Sequence, residues 1–448
     1  MASIAEALCQ IKEDPHALIQ PTTAEAVCRE LGLEWRQTPL TPPVTISLLA
    51  QQVLAGNVSN PELLRLAGSS VTPAAYCTAK GRLPVEAVRE MSRRVCAAAL
   101  ARAAGVPEER WHGHRTWHID GSTFSMPDTP ELQQHFGQPG AQAVGCGFPV
   151  AHLLCLFTAG TGLIRDVIVS PLRSSDLSTA PKVHSSMAPG DIVLGDTAFG
   201  TYVHLALLQP QGIFGVFPNH QKRIVNFRAH RRYHRPGENQ EATGEPTSRW
   251  IKRLGRDDQL VEYFKPVQRP KWLSPEEYDA LPASLVVREI RRTIRRRGRP
   301  KQTVVVATTL LDPERYPADQ VVELLKDRWG VETNLRHLKT SMKMDILHTQ
   351  TVDGVHKELW MFLLIYNLVR VIMMEAAEVQ DAPLERISFV DALYWMRHVR
   401  PGDTLPKLLL NPYRPNRVEP RAIKRRPKQY DRLNKPRAVM RKRLKTRR

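Results

Sequence analysis

The sequence lacks the patterns that mark crosslinked, secreted or ATP-driven proteins. Its six cysteines are scattered without a C-x-x-C pair, which predicts reduced thiols in a cytosolic compartment and argues against a zinc site. The N-terminal segment carries Glu and Asp and has no sustained apolar core, so it is not expected to be a signal peptide. No P-loop, Rossmann glycine pattern or Ser-His-Asp signature is present, and energy input from ATP is therefore not expected.

Long apolar runs are also missing. The most apolar window, Leu359 to Met374, contains Asn367 and Arg370 and falls short of a bilayer span. We predict that it is a buried helix and that the protein has no membrane partner. With 448 residues and 42% apolar content, the chain is long enough for two or three domains with a sizeable core.

Positive charge is abundant and unevenly distributed. The formal net charge is +19, and residues 414–448 contain 16 Lys or Arg against two acidic residues, so this tail alone carries +14. Such a segment repels itself and has few apolar side chains, which predicts disorder and attraction to a polyanion. Nucleic acid is the leading partner, although a solvated tail or an anionic membrane surface fits the same composition.

The first 112 residues are rich in Ala, Leu, Glu and Arg and predict a helical N-terminal domain. Thr72 and Leu83, each followed by proline, are typical helix starts. DNA binding by a pair of these helices is one interpretation. Plain helical packing is favoured, because helices with scattered cations are common.

The residue pattern changes near residue 116, where short apolar runs alternate with turns that contain Gly and Pro. Five runs are typical of strands: TWHID, AHLLCLFTA, LIRDVIVS, DIVLGD and GIFGVF. Helical stretches are expected at Ser178–Met187 and Tyr202–Gln209. The predicted order of three strands, helix, strand, helix and strand indicates an α/β layer.

Two of these strands end in an aspartate, Asp120 in HIDGSTF and Asp196 in DIVLGDTAFG. Most such residues only cap a turn or a helix. The carboxyl ends of strands in α/β sheets are, however, the usual place for ligand chemistry. The two aspartates are therefore candidates for a common site.

A third acid, Glu332, lies in the stretch from Val321 to Asp345, whose apolar period predicts a helix. On a regular helix the stripe of Glu332, about 60° wide, also contains Leu325, Arg328 and Lys339. A surface ion-pair face is the ordinary interpretation of such a stripe. Together with the two strand-end aspartates, it instead suggests two Mg²⁺ ions, about 4 Å apart, that clamp the attacking and leaving oxygens of a phosphodiester.

Three sequence blocks resemble the insertion-sequence-four family of DDE transposases. They are HIDGSTFSMPDTPE, LGDTAFG, and RWGVETNLRHLK with KMDILHTQTVDGVHKELWMFLLIYNLVR after it. The resemblance runs from residue 40 to residue 400. The family's Y-x2-R-x3-E-x6-K signature is matched at Arg328, Glu332 and Lys339, while Leu325 stands in place of the Tyr.

The resemblance implies a ribonuclease-H-like core in which Asp120, Asp196 and Glu332 perform catalysis and bind Mg²⁺, with Mn²⁺ as the alternative ion. Arg328 and Lys339 would hold backbone phosphates beside these acids. The resemblance also implies double-stranded DNA as partner, both at the transposon ends and at the target, and a homodimer in the DNA complex. A cytoplasmic, nucleoid-associated protein is expected.

The 135 residues between Asp196 and Glu332 are too many for the one or two elements that would close such a core. We therefore predict an insertion. Its strands are expected at Leu260–Phe264, Leu285–Thr293 and Thr303–Leu311, so it should be mostly β.

Basic and aromatic side chains of the insertion are candidates for DNA contacts. They are Arg295, Arg296 and Arg297 in one basic loop, and Trp250 and Trp272, either of which would stack on a base. For the other basic segment, RAHRRYHR, a mobile solvated loop is an equally good interpretation.

The predicted architecture is α/β, with a helical N-terminal domain (1–112), a ribonuclease-H-like catalytic core with a helical C-terminal part (113–218 and 312–400), a β-rich insertion (219–311) and a basic, disordered tail (401–448). The expected function is cutting and joining of insertion-sequence DNA by two-metal phosphoryl transfer, with a DNA hairpin for the second strand. The alternatives are a Mg²⁺-dependent nuclease without strand transfer and a catalytically inactive DNA-binding protein.

Overall fold

A ten-stranded mixed sheet forms the middle of the protein, whose structure is a computed structural model. The structure describes residues 4–9, 11, 14, 16–103, 110–220, 223–235, 237, 244–294, 302–400, 403–412, 433 and 435–445. The strands are β1 (Arg110–Trp111), β2 (His114–Ser125), β3 (Val150–Thr158), β4 (Ile164–Pro171), β5 (Ile192–Leu194), β6 (Phe214–Pro218), β7 (Arg249–Gly255), β8 (Asp258–Phe264), β9 (Ser284–Ile294) and β10 (Gln302–Thr308).

Helices cover the sheet and make up most of both ends of the described chain. They are α1 (Ile4–Cys9), α2 (Pro21–Glu30), α3 (Pro42–Leu54), α4 (Asn60–Leu66), α5 (Pro73–Arg82), α6 (Val85–Ala103), α7 (Pro130–Phe136), α8 (Asp176–Thr179), α9 (Tyr202–Leu208), α10 (Pro275–Ala280), α11 (Ala318–Asp327), α12 (Trp329–Arg336), α13 (Val352–Gln380), α14 (Phe389–His398) and α15 (Arg437–Lys445). A 3-10 segment, Ala180–Ser186, follows α8, and a π-helical turn, His337–Ser341, follows α12.

The strand order is β4-β3-β2-β5-β6-β10-β9-β8-β7, with β1 paired to β2. Strand β5 runs parallel to both β2 and β6, and the other pairs are antiparallel. All five strands expected between residues 116 and 218 are present, with helical segments between them at the expected places. The prediction of an α/β protein is confirmed.

Helix α13 lies against the sheet in the largest hydrophobic cluster, which also contains residues of α2, α3, α6 and α14. By length and composition α13 is apolar enough to cross a membrane, but 89% of its most apolar window is buried inside the protein. The prediction of a buried helix at Leu359–Met374 is confirmed.

Two polar residues of α13 join the helical layer to the sheet. The Asn367 side chain accepts the Ile164 N–H and donates to the Ile164 carbonyl, each at 2.9 Å. Arg370 Nε donates to the Thr161 carbonyl at 2.7 Å. Buried backbone groups need partners, and the turn between β3 and β4 finds them on α13. These hydrogen bonds fix the position of strands β2, β3 and β4 relative to α13.

The predicted insertion is largely β, but its strands extend the central sheet. Strand β10 pairs antiparallel with β6, with Thr308 opposite Val216. Strands β8 to β10 were expected, whereas β7 was not. Helices α1, α2, α3 and α6 likewise share a hydrophobic cluster with α13 and with one face of β2 and β3, whereas α4 and α5 pack in a smaller cluster of their own with Leu48 of α3. The boundaries at residues 112, 218, 311 and 400 stay predictions.

The predicted basic tail (401–448) contains two described segments with contacts to the rest of the protein, 403–412 and α15, and its disorder stays a prediction. Arg437 at the start of α15 donates to the Gly147 carbonyl at 2.9 Å, stacks 3.9 Å from the centre of the Phe148 ring and lies 3.4 Å from Asp128. Sequence composition could not reveal this anchor, because its partners are about 300 residues away. Residues 401, 402, 413–432, 434 and 446–448 of the predicted tail lie outside the described residues.

Two buried histidines, His204 of α9 and His184 of the Ala180–Ser186 segment, are joined by a hydrogen bond. His204 Nδ1 donates to the Phe199 carbonyl at 2.9 Å, which leaves its Nε2 to accept a hydrogen bond from His184 Nε2 at 3.1 Å. Burial lowers the pKa of His204 to about 4, and burial together with the neighbouring His204 lowers the pKa of His184 to about 3. Both rings are therefore neutral in the folded protein.

We expect this pair to make the protein acid-sensitive. An unfolded histidine gains a proton near pH 6.5, whereas folded His204 stays neutral until about pH 4. Between these values the unfolded state binds more protons, so the free energy of unfolding falls as the pH falls. One such histidine contributes about 2 kcal/mol between pH 6.5 and 4.5. Urea unfolding at a series of pH values measures this loss. His204→Gln, which cannot gain a proton, should show a flatter pH dependence, and an unchanged dependence in that variant would contradict the assignment.

Candidate active site

Asp120 lies in β2 on the sheet face covered by the helical layer. It is opposite Cys155 of β3, and its carboxylate accepts a 2.9 Å hydrogen bond from the Gly121 N–H. Burial raises the pKa of Asp120 to about 6, and the negative charges of Asp196 and Asp176 act in the same direction. The Gly121 hydrogen bond and the positive charge of Arg328 act against this rise. Two further carboxylates and one guanidinium are thus close enough to influence Asp120.

Asp196 is brought to Asp120 by the parallel pairing of β2 and β5. His118 is opposite Leu194 at the end of this pairing, so two further residues along each chain bring Asp196 level with Asp120. Gly195 allows this close approach, because a Cβ there would lie 3.0 Å from Ile119 Cγ2 and 2.6 Å from Phe199 Cδ2. The Ala198 N–H donates to Asp196 at 2.8 Å and fixes the turn.

Arg328 lies between the strand carboxylates and Glu332. Its guanidinium is 3.6 Å from a Glu332 oxygen, and the two side chains are 13% and 63% exposed, respectively. Burial lowers the pKa of His118 to about 4, with a further contribution from the charge of Arg328. Arg328 therefore faces β2, while Glu332 points largely to solvent. Among the described residues no three His, Cys, Asp or Glu side chains are grouped closely enough to hold a metal ion.

The single helix expected from Val321 to Asp345 is interrupted. Helix α11 ends at Asp327, α12 begins at Trp329, and Lys339 lies in the π-helical turn. Leu325 is buried with residues of β5, β6 and β10, on a different surface from Glu332. Arg328 and Glu332 keep the i,i+4 contact of the predicted stripe. Leu325 is buried elsewhere, and the π-helical turn that contains Lys339 departs from the regular 100° spacing.

The two tryptophans occupy different environments. Trp272 lines a cavity of about 600 Å³ with Tyr202, Phe264 and Arg223. Trp250 lies on β7 against His230, with ring centres 4.4 Å apart. Trp272 thus faces a space of the size that a planar ligand needs. The predicted DNA contacts Arg295, Arg296 and Arg297 lie outside the described residues.

The basic segment 228–235 also has a structured centre. Arg231 donates to the Ser248 carbonyl and hydroxyl and to the Asn226 carbonyl, the latter at 2.7 Å. Tyr233 stacks on Phe264 with ring centres 5.8 Å apart. Arg231 is therefore a structural residue. The interpretation of a mobile solvated loop is not supported at this position.

Asp176 is a neighbour of the candidate site that the sequence did not reveal. Its carboxylate fills the space beside Gly121, where an added Cβ would lie only 1.8 Å from its Oδ1 atom. His152 Nε2 is 2.8 Å from the same oxygen. In the sequence, Asp176 follows the helix-capping Ser175 and looks like an ordinary first-turn acid. No local pattern distinguished it.

Comparison with known proteins identifies the chain. A family model described as the transposase DDE domain matches residues 111–368, more than half of the sequence. The chain belongs to this family. It is 26% identical over 387 residues to the transposase InsG for insertion sequence element IS4 of Escherichia coli strain K12, covering 80% of this chain and 78% of that protein. The resemblance to the insertion-sequence-four family is confirmed, and the protein is a DNA transposase.

One solved structure is similar to the transposase over most of its length. It is a piggyBac transposase synaptic complex with hairpin DNA, and the match covers 88% of this chain and 79% of that chain. The TM-score is 0.44 and the sequence identity 10%. This likeness is too distant to carry an argument about the site.

The carboxylates of the transposase suit the divalent metals that DDE transposases generally use. Asp120 and Asp196 offer hard oxygen atoms from adjacent strands, the type of ligand that Mg²⁺ and Mn²⁺ prefer. Within the described part of the chain, the Asp120 carboxylate accepts a hydrogen bond only from the Gly121 N–H. Lone pairs therefore remain for a cation, and a cation would also relieve the repulsion between the two carboxylates.

We expect Gly195→Ala to damage the site from a position that bears no functional group. The added methyl group must displace Ile119 or Phe199, and such overpacking costs about 1–3 kcal/mol. Asp196 would move away from Asp120, so DNA cleavage should fall while DNA binding persists. Gly81→Ala is the matched control, because a Cβ at Gly81 meets no atom within 4 Å. Equal stability and cleavage in the two variants, measured by urea unfolding and a nicking assay, would contradict the prediction.

Proposed function

We propose that the transposase cuts and joins insertion-sequence DNA at a metal site formed by Asp120, Asp196 and Glu332. The observation that carries the proposal is the proximity of Asp120 and Asp196 on parallel strands, with Arg328 beside them. A partly buried pair of neighbouring carboxylates without a cation is unfavourable. Its presence in a transposase DDE domain favours a role in the reaction.

Strands β2 to β6 and their helices are proposed to form a ribonuclease-H-like core. The strand order β4-β3-β2-β5-β6, three antiparallel strands followed by two parallel ones, supports this assignment. The core would comprise residues 113–218 and 312–400, with the N-terminal helices, the insertion at 219–311 and the C-terminal segment arranged around it.

Each residue then has a distinct task. Asp120 and Asp196 would hold Mg²⁺ or Mn²⁺, which supplies charge neutralisation and a more acidic bound water. Glu332 would complete the ligand set after exchanging its contact with Arg328. Arg328, released from Glu332, would contact a nonbridging phosphate oxygen. Lys339 lies in the π-helical turn that follows α12 and is proposed to hold a neighbouring phosphate.

The cavity beside Trp272 is proposed to take a base pushed out of the duplex during hairpin formation. It is bordered by Leu177 and Thr201, which follow Asp176 and Asp196 closely in sequence. The cavity therefore lies near the carboxylate end of the sheet. Its aromatic lining suits stacking on a base of any sequence. Trp250, packed on His230, is the weaker candidate.

DNA is the partner of the transposase, and three finer features belong to the proposal. The protein is proposed to contact the transposon ends and the target, partly through Arg295, Arg296 and Arg297. It is proposed to act as a homodimer in the DNA complex. A cytoplasmic, nucleoid-associated location follows from DNA as substrate.

Replacement of any one of Asp120, Asp196 and Glu332 by its amide should abolish metal-dependent strand cleavage. The amide keeps the shape but loses the charge that binds the cation, so binding to the DNA ends should survive. Nicking of a labelled end substrate in Mg²⁺ measures the first effect, and a gel-shift assay measures the second.

Asp176→Asn is the matched control for these variants, since Asp176 influences Asp120 but lies outside the proposed ligand set. It should keep cleavage. Loss of cleavage in Asp176→Asn would extend the set to four acids, and near wild-type cleavage in Glu332→Gln would remove Glu332 from it.

Trp272→Ala should slow hairpin formation and spare first-strand nicking. Stacking on an aromatic ring is worth about 1–3 kcal/mol per base, or about 5- to 150-fold in rate. Trp272→Phe should retain part of the effect, and Trp250→Ala should behave like the wild type. Single-turnover assays that resolve nicked, hairpin and joined products test this. Equal slowing of nicking and hairpin formation in Trp272→Ala would count against the stacking role.

A further inference from the structure

A basic cleft lies beside the first residues of β2, away from Asp120 and Asp196. Three arginines and several hydroxyl-bearing residues line a cleft of about 260 Å³ there. We call it the arginine cleft; its polar residues are Arg110, Arg115, Arg165, Thr116, Thr158, Ser185 and Ser186. None of these residues belongs to the proposed metal site.

Each guanidinium of the arginine cleft is anchored through one nitrogen. Arg115 Nε donates to Asp191 at 3.1 Å, and Arg165 Nε donates to the Ser186 carbonyl at 3.3 Å. Arg110 donates to the Gly113 carbonyl at 3.3 Å through one terminal nitrogen. The terminal nitrogens of Arg115 and Arg165 make no hydrogen bond to the part of the chain that the structure describes. They remain as donors for a ligand.

Asp191 orients the cleft without neutralising it. This buried carboxylate is already occupied by the Trp117 indole N–H at 2.8 Å and the Ala188 N–H at 2.9 Å. Its second oxygen holds Arg115, whose guanidinium also lies 5.9 Å from the Trp117 ring centre. A second carboxylate, Asp166, accepts a hydrogen bond from Ser186 Oγ, so three arginines face two carboxylates that already have partners. Positioned guanidinium donors of this kind match the oxygens of a phosphate group.

The arginine cleft is too far from Asp120 to contact the phosphodiester that is cut. Arg115 and Asp120 are five residues apart on β2, which corresponds to about 16 Å along a strand. An odd separation also puts them on opposite faces of the sheet. Arg115 lies on the face of Trp117, whereas Asp120 lies on the face of Phe124 and α13. A phosphate in the cleft must belong to another part of the DNA.

We propose that the arginine cleft binds a backbone phosphate of duplex DNA remote from the cleavage point. The inference rests on the proposed function for DNA as substrate, but not on the identity of the metal ligands. The cleft is small for a whole nucleotide and open at its exposed arginines, which suits one phosphate of a continuous backbone. It gives the transposase a contact that positions DNA without reading its sequence.

The test compares Arg115→Gln/Arg165→Gln with Arg400→Gln/Lys407→Gln, a control that removes the same charge at two exposed positions outside the cleft. Affinity for a long duplex carrying a transposon end is measured by fluorescence anisotropy at several NaCl concentrations. Each lost phosphate contact should flatten the slope of log affinity against log salt by about 0.9. The cleft variant should show this flattening, and the control should not. Nicking at saturating DNA in low salt should stay within about twofold of wild type.

Three results would overturn the proposal: an unchanged slope in the cleft variant, equal flattening in the control, or competition by millimolar inorganic phosphate at constant ionic strength. The last would indicate a site for a free anion. Asp120→Asn separates this proposal from the metal site. It should lose cleavage and keep the wild-type salt slope, so normal cleavage in Asp120→Asn would refute the proposed function and leave the cleft untouched.

Discussion

The parallel pairing of β2 with β5 is the constraint on which the candidate site depends. It aligns two strands so that Asp120 and Asp196 lie side by side in a region of low exposure. Burial and mutual repulsion both oppose ionisation there, which explains the raised pKa of Asp120. The fold tolerates this arrangement because Arg328 provides one positive charge nearby. A bound cation would provide more, so the site is organised for a ligand that carries positive charge.

The helical layer holds that arrangement in place. Asn367 and Arg370 of α13 satisfy backbone groups of the turn between β3 and β4, and β3 pairs with β2 along its whole length. The end of β2 is tied to the segment after α12 by two hydrogen bonds between Ser125 and the chain at Asp345 and Leu347. The segment that follows α12 and its π-helical turn is thereby attached to the strand that carries Asp120.

Breaks in the α11–α12 region have a physical consequence for Glu332. Arg328 keeps right-handed helical dihedral angles between α11 and α12, and the π-helical turn after α12 changes the angular spacing of the side chains beyond Arg336. Unusual helical geometry of this kind is frequent at functional sites. Here it separates a buried anchor, Leu325, from an exposed carboxylate, Glu332. Leu325, which stands in place of the family's Tyr, thus packs in the hydrophobic core against the sheet.

Most of the local structure and the family could be predicted from short stretches of the sequence. Apolar runs bounded by Gly and Pro were sufficient for β2 to β6, and the three acidic blocks were sufficient for a DDE transposase, because both signals are encoded in a few consecutive residues. Tertiary structure decided what depends on distant partners. It continued the core sheet through β10, bound the tail to Asp128 through Arg437, and brought Asp176 to Gly121. It also placed a π-helical turn after α12 and assembled the arginine cleft from β1, β2, β3, β4 and the Ala180–Ser186 segment. These features arise from contacts between residues far apart in the chain, which no local periodicity records.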